Sequence, residues 1–164
     1  MLALALALVA APALPVTQQG PFVEMQAGPQ VLFRGRGVGT GPEVRLDVGL
    51  GVNDRFAFEG WLSGALENAP LRSPGDESRI GAGLGARARL YQFDSEGKIA
   101  LWGRAGAGYA SASGAAASGP MGFGGAQLLW QPFVKRFAFG LEVDGLLMRG
   151  GAGVAILPSL RCAL

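Results

Sequence analysis

The sequence predicts an all-β fold: an eight-stranded antiparallel up-and-down transmembrane β-barrel. Three observations carry this reading. Segments of about ten residues alternate apolar side chains with polar, charged or glycine positions. The connections between them alternate in length, and aromatic residues gather near one end of the segments. Composition sets the frame. Of 164 residues 28 are Gly, and 16% are charged, against about 25% in ordinary soluble proteins. Beyond residue 16 no apolar run reaches the roughly 18 residues that a membrane helix needs. A chain so apolar and so poor in charge is accommodated by strands with one face toward lipid and the other toward a polar lumen.

Taken in order, residues 2–14 form an apolar Leu/Ala run, with Ala11 and Ala13 supplying an A-x-A cleavage pattern. Residues 1–13 are therefore expected to be a cleaved signal peptide, 14–20 a short lead, and 21–164 the barrel. Segment 21–32 sets Val23, Met25 and Ala27 against Glu24 and Gln26. Segment 42–52 is strictly two-periodic, with Val44, Leu46, Val48, Leu50 and Val52 on one face and Glu43, Arg45, Asp47, Gly49 and Gly51 on the other. Segment 55–64 opposes Phe56, Phe58 and Leu62 to Arg55, Ala57, Glu59 and Trp61. In 79–92, Ile80, Ala82, Leu84, Ala86, Ala88 and Leu90 oppose Gly81, Gly83, Gly85, Arg87, Arg89 and Tyr91. Segment 98–109 sets Ile99, Leu101, Ala105, Ala107 and Tyr109 against Trp102, Arg104, Gly106 and Gly108. Segment 119–131 is the poorest, and Gly124-Gly125 is expected to mark a bulge there. Segment 136–148 opposes Phe137, Phe139, Leu141, Val143 and Leu147 to Gly140, Glu142 and Asp144. Segment 153–164 opposes Val154, Ile156, Leu160, Cys162 and Leu164 to Ser159 and Arg161.

Tight turns are expected at Asn53-Asp54, at 94–97 and at 132–135, where Asp, Asn, Gly and Pro favour turn geometry. Longer connections are expected at 33–41, 66–77 and 110–118, with a shorter one near 149–152. Phe56, Phe58, Tyr91, Phe93, Trp130, Phe133, Phe137 and Phe139 flank the tight turns, as an interfacial girdle would, while Tyr109 and Phe123 lie toward the other rim.

In this register most strand charges point inward. The acids are Glu24, Glu43, Asp47, Glu59, Glu142 and Asp144; the bases are Arg45, Arg87, Arg89, Arg104 and Arg161. An eight-stranded lumen is just wide enough for side chains to fill it. A near-neutral set suits a salt-bridged plug, because an unpaired buried charge is costly. A narrow ion path, or a small anion site at Arg87 and Arg89, is the alternative reading of the same residues.

The chain has no His and one Cys, Cys162. Imidazole-based catalysis, a His/Cys zinc cluster and a disulfide scaffold are excluded. Ser63, Ser111, Ser113, Ser118 and Ser159 have no imidazole partner, and no cofactor is expected. Net charge is +2 without a Lys/Arg run, so no nucleic-acid partner is expected.

The alternating segments, the Gly-x-Gly repeats at Gly81–Gly83 and Gly106–Gly108, and a last strand apolar at alternate positions up to Leu164 resemble the small eight-stranded outer-membrane barrels of the OmpA and OmpX type. That last strand also resembles the terminal signal read by the barrel-insertion machinery, with Leu164 where the family ends in Phe or Trp. The resemblance implies a bacterial outer-membrane protein with both termini in the periplasm. Its implied partners are outer-membrane lipid, lipopolysaccharide, the insertion machinery and other envelope proteins. Arg34 and Arg36 are the candidate contacts to lipopolysaccharide phosphates. A non-enzymatic role in envelope structure or docking is expected. One alternative is a barrel subunit of a trans-envelope machine for surface gliding motility or secretion. Another is a soluble periplasmic lipid- or ligand-binding barrel, which would reverse the two faces.

Overall fold

A computed structural model describes residues 19–164 except 36, 69–75, 95–97, 114–117 and 133–135. The expected signal peptide 1–13, and with it Arg36 and Phe133, lies outside the described residues. Eight strands follow in chain order: β1 (Gly20–Arg34), β2 (Gly37–Gly51), β3 (Phe56–Asn68), β4 (Asp76–Gln92), β5 (Ile99–Ala112), β6 (Gly119–Trp130), β7 (Phe137–Met148) and β8 (Gly151–Ala163). Each pairs antiparallel with its neighbour in sequence, and β8 pairs with β1 to close the barrel. Closure leaves no strand edge unpaired. The amide of Leu164 donates to the Pro21 carbonyl at 2.9 Å and finishes the seam at the end where both termini lie.

The strict alternation of β2 is reproduced in three dimensions. Glu43, Arg45 and Asp47 are buried, and Val44, Leu46, Val48 and Leu50 are exposed. The same parity holds in β3, β5, β7 and β8: Glu59, Trp61, Trp102, Arg104, Glu142, Asp144, Ser159 and Arg161 face inward. The turns use local side-chain acceptors. Asn53 Oδ1 accepts from the amides of Arg55 at 2.8 Å and Phe56 at 2.9 Å. Asp94 accepts from the amides of Lys98 at 3.0 Å and Ile99 at 2.9 Å. Gly150, between β7 and β8, adopts φ +88°, the left-handed region that a side chain disfavours.

Four expectations are corrected. The connection expected at 33–41 is only two residues long, because β1 runs to Arg34 and β2 begins at Gly37. Gly37, Gly39 and Gly41 are strand residues, and at Gly41 the backbones approach closely: a Cβ there would lie 1.8 Å from the Leu66 carbonyl oxygen. With the connection at Arg149-Gly150 also two residues long, the long–short alternation of connections does not hold. The bulge is absent from Gly124-Gly125, where β6 pairs with both neighbours without a register shift. It occurs instead between Arg89 and Tyr91, opposite β5. Phe123, read with the rim aromatics, lies in the expected half of the barrel but faces the lumen, where it is buried.

The lumen is narrow enough that its large rings need glycine opposite them. A Cβ on Gly106 would fall 2.5 Å from Phe123 Cε1, and one on Gly49 would fall 2.2 Å from Phe22 Cζ. Much of the glycine content therefore serves interior packing. The β1–β8 ladder is also interrupted, passing from Gln26–Ser159 to Gln30–Ala155. Pro29 and Pro158 lie in this gap and have no amide N–H to donate.

Candidate functional site

The interior holds a dense cluster of ionisable side chains, and every strand except β6 contributes to it. Glu24 on β1 accepts from Arg87 Nη1 at 2.7 Å, from Arg161 Nη2 at 2.9 Å and from Gln127. Arg87 also donates through Nε to Glu59 at 2.6 Å. Arg104 bridges three strands, donating to Glu59 at 3.1 Å, to Asp47 at 3.0 Å and to Glu142. Arg45 completes the set, meeting Asp144 at 2.6 Å and both Glu142 and Glu43 at 3.1 Å. The planar fork of guanidinium lets one side chain serve carboxylates on different strands, which a Lys ammonium does less well. All but two of the chain's basic residues are Arg.

Aromatic faces cover the open sides of these cations. Arg45 lies 4.3 Å and Arg104 5.5 Å from the Phe123 ring centroid; Arg161 lies 4.6 Å and Arg87 4.8 Å from that of Phe22. Apolar plates close the network from both ends. Ala100, Trp102, Leu129 and Ala138 pack at the terminus side, and Leu32, Trp61, Met121, Phe123, Leu146 and Leu157 at the other. Trp102 is 0% exposed. At the terminus-side mouth Phe22, Ala138 and Arg161 help to line a cavity of about 40 Å³. The network is thus an ion-paired plug, in which Glu43 Oε2, Arg45 Nε, Asp47 Oδ1 and Asp144 Oδ1 make no hydrogen bond among the described residues. Its carboxylates are held by guanidinium groups, and an acid–base pair at Glu142 and Asp144 has no approach for a substrate.

Of the expected interior residues, Glu24, Glu43, Arg45, Asp47, Glu59, Arg87, Arg104, Glu142, Asp144 and Arg161 are all buried. Arg89 is not: opposite Trp102 near the rim-side end of β4 it is only half-buried, and it takes no part in the network. The paired Arg87–Arg89 anion site is therefore not formed. Arg34, expected to reach lipopolysaccharide from a loop, ends β1 and is engaged by Glu67 and Glu77, with 19% of its side chain exposed.

A second charged layer escaped the sequence reading. At the end away from the termini, Arg79 meets Glu67 at 3.1 Å and Gln30 at 2.6 Å, and it approaches Glu43 at 3.6 Å. Glu67 and Glu77 fell inside the expected loop 66–77. Arg79 was findable, since it shares parity with Gly81 opposite the outward Ile80.

The outer wall is the reverse of the lumen. Leu46, Val48, Leu62, Ile80, Leu84, Leu141, Val143, Leu147 and Ile156 are exposed around the circumference, with Leu84 at 75%. Phe56, Phe58, Tyr91, Phe93, Trp130, Phe137 and Phe139 are exposed toward the terminus-side rim. A belt of this extent far exceeds the apolar patches of a few hundred Å² found on soluble monomers. The arrangement that a soluble ligand-binding barrel would require, apolar inside and charged outside, is inverted.

No protein-family model matches the chain, and no curated protein matches it. Solved structures do. Neisserial surface protein A superposes with a TM-score of 0.69 at 12% identity, covering 89% of this chain and 98% of that one. The outer membrane protein OprG of Pseudomonas aeruginosa gives 0.55 at 8% identity, covering 90% and 98%. Ail, the attachment invasion locus protein of Yersinia pestis, gives 0.53 at 16% identity, covering 87% and 99%. The fold is therefore that of the small eight-stranded outer-membrane barrels, as the resemblance to the OmpA and OmpX type implied.

Proposed function

We propose that this chain is an integral, non-enzymatic protein of the bacterial outer membrane, with both termini in the periplasm. It serves cell-envelope structure or docking. The observation that carries the reading is the inversion of polarity: buried ion pairs fill the lumen while an uninterrupted apolar belt faces outward. In water such a belt would be exposed at a large free-energy cost; in lipid it is solvated by acyl chains. The fold shared with outer-membrane proteins supports the same location. Outer-membrane lipid, lipopolysaccharide and the barrel-insertion machinery are the partners this location supplies. Other envelope proteins would meet the surface at the ends of the barrel. A role as the barrel subunit of a motility or secretion machine needs such a partner and is read out by crosslinking followed by co-purification.

Three measurements test the proposal. The folded protein in detergent is expected to migrate differently on gels before and after boiling, and to stay with membranes washed in carbonate. In planar bilayers it is expected to give no discrete conductance, because Arg45, Arg87 and Arg104 block the lumen together with Trp61 and Phe123. Release by carbonate would overturn the membrane assignment, and regular single-channel steps would overturn the sealed interior.

A further inference from the structure

We infer that the terminus-side rim carries a binding site for the phosphate headgroup of an anionic glycerophospholipid, built from Arg55 and Arg89. The inference rests on the membrane reading above and adds a ligand to it. The bulge between Arg89 and Tyr91 makes two consecutive residues, Leu90 and Tyr91, face outward, 61% and 59% exposed. Arg89, just before the bulge and opposite Trp102, is half-buried and stands outside the interior network. The Arg89 amide donates to the Arg55 carbonyl at 2.8 Å, which ties the end of β4 to the turn between β2 and β3. Both arginines, with Leu90, Tyr91 and Gln92, line an open cavity of about 410 Å³.

Nearby acceptors are committed elsewhere. Asp54 accepts from Gln19 at 3.0 Å, Asn53 caps the turn amides, and Glu59 is held by Arg87 and Arg104. Among the described residues neither Arg55 nor Arg89 has an ion-pair partner. Two neighbouring guanidinium groups without a carboxylate repel one another, and an anion placed between them removes that repulsion. Phosphate matches the guanidinium fork in geometry and charge. Leu90 and the edge-to-face pair Tyr91–Phe93, with ring centroids 4.9 Å apart, flank the cavity on the lipid side. A bound molecule would therefore present phosphate and acyl chain together, which favours a lipid over a free anion. Tyrosine is suited to this depth, with its ring in the apolar layer and its hydroxyl toward the headgroups.

The test is native mass spectrometry of the detergent-folded protein with phosphatidylglycerol or phosphatidylcholine added separately. The unsubstituted protein is expected to retain phosphatidylglycerol preferentially. The R55Q/R89Q variant is expected to retain it at least tenfold less, R149Q at the opposite rim should match the unsubstituted protein, and millimolar inorganic phosphate should not displace the lipid. Equal retention by R55Q/R89Q, equal retention of the two lipids, or displacement by inorganic phosphate would each overturn the lipid site. Heat-modifiable migration of the same samples separates the two readings. A normal shift with unaltered lipid retention in R55Q/R89Q overturns the site alone, and no shift in the unsubstituted protein overturns both.

Discussion

Arg104→Met is expected to lower the stability of the detergent-folded barrel by about 3–5 kcal/mol, the range for removing one partner of a buried ion pair. The side chain would keep similar length and fill similar volume, so the loss isolates the charge. Arg104 is shared among Glu59, Asp47 and Glu142 on β3, β2 and β7. Without it three carboxylates face one another across the lumen, with only Arg45 and Arg87 left beside them. The cation's contact with Phe123 is lost as well. Urea titration followed by the fraction of heat-modifiable protein measures the change. Arg104→Lys is expected to recover part of the loss, because one ammonium cannot reach all three acceptors in the geometry of a fork. A midpoint for Arg104→Met unchanged from that of the unsubstituted protein would mean that the network contributes little.

Leu84→Arg should destabilise the barrel in lipid by about 2–4 kcal/mol, the cost of Arg on a lipid-facing strand at the bilayer midplane. Leu84 lies near the middle of β4 and faces outward, and its cross-strand partners are Gly60 and Ala107. No polar group on either neighbouring strand at that level would receive a guanidinium. Three positions along the same strand, Arg87 is buried and paired with Glu24 and Glu59. The contrast between positions 84 and 87 shows that the side of the strand, not the residue type, sets the energy. On a water-facing surface the same substitution would change stability by no more than about 0.5 kcal/mol. Folding yield into lipid vesicles, with urea midpoints, distinguishes the two outcomes.

The fold was legible wherever opposite faces of a strand differ in chemistry. Val44 through Val52 alternate aliphatic residues with Glu43, Arg45, Asp47 and glycine, so parity can be read by eye. β6 is harder because its lumen positions include Met121, Phe123 and Leu129. Their pleat alternates while their polarity does not, which made Gly124-Gly125 look like a break. The true bulge at Arg89/Tyr91 left one trace, the adjacent lipid-type residues Leu90 and Tyr91. Glycine misled at 33–41, where it signals close backbone approach in a narrow barrel as readily as a loop. The inward placement of the central charges followed from parity alone. Which carboxylate meets which guanidinium did not, because β2 and β7 meet only across the closed lumen. The layer of Arg34, Glu67, Glu77 and Arg79 was hidden by strand ends misplaced by a few residues.

The division between a lipid-wetted wall and a charged lumen is tested most directly by tryptophan fluorescence in vesicles of brominated phospholipid. Trp130 is exposed on the outer wall, and Trp61 and Trp102 are buried within. Brominated lipid is expected to quench the unsubstituted protein in part and to leave Trp130→Phe almost unquenched. Quenching that persists undiminished in Trp130→Phe, or is absent from the unsubstituted protein, would contradict the assignment of the two faces.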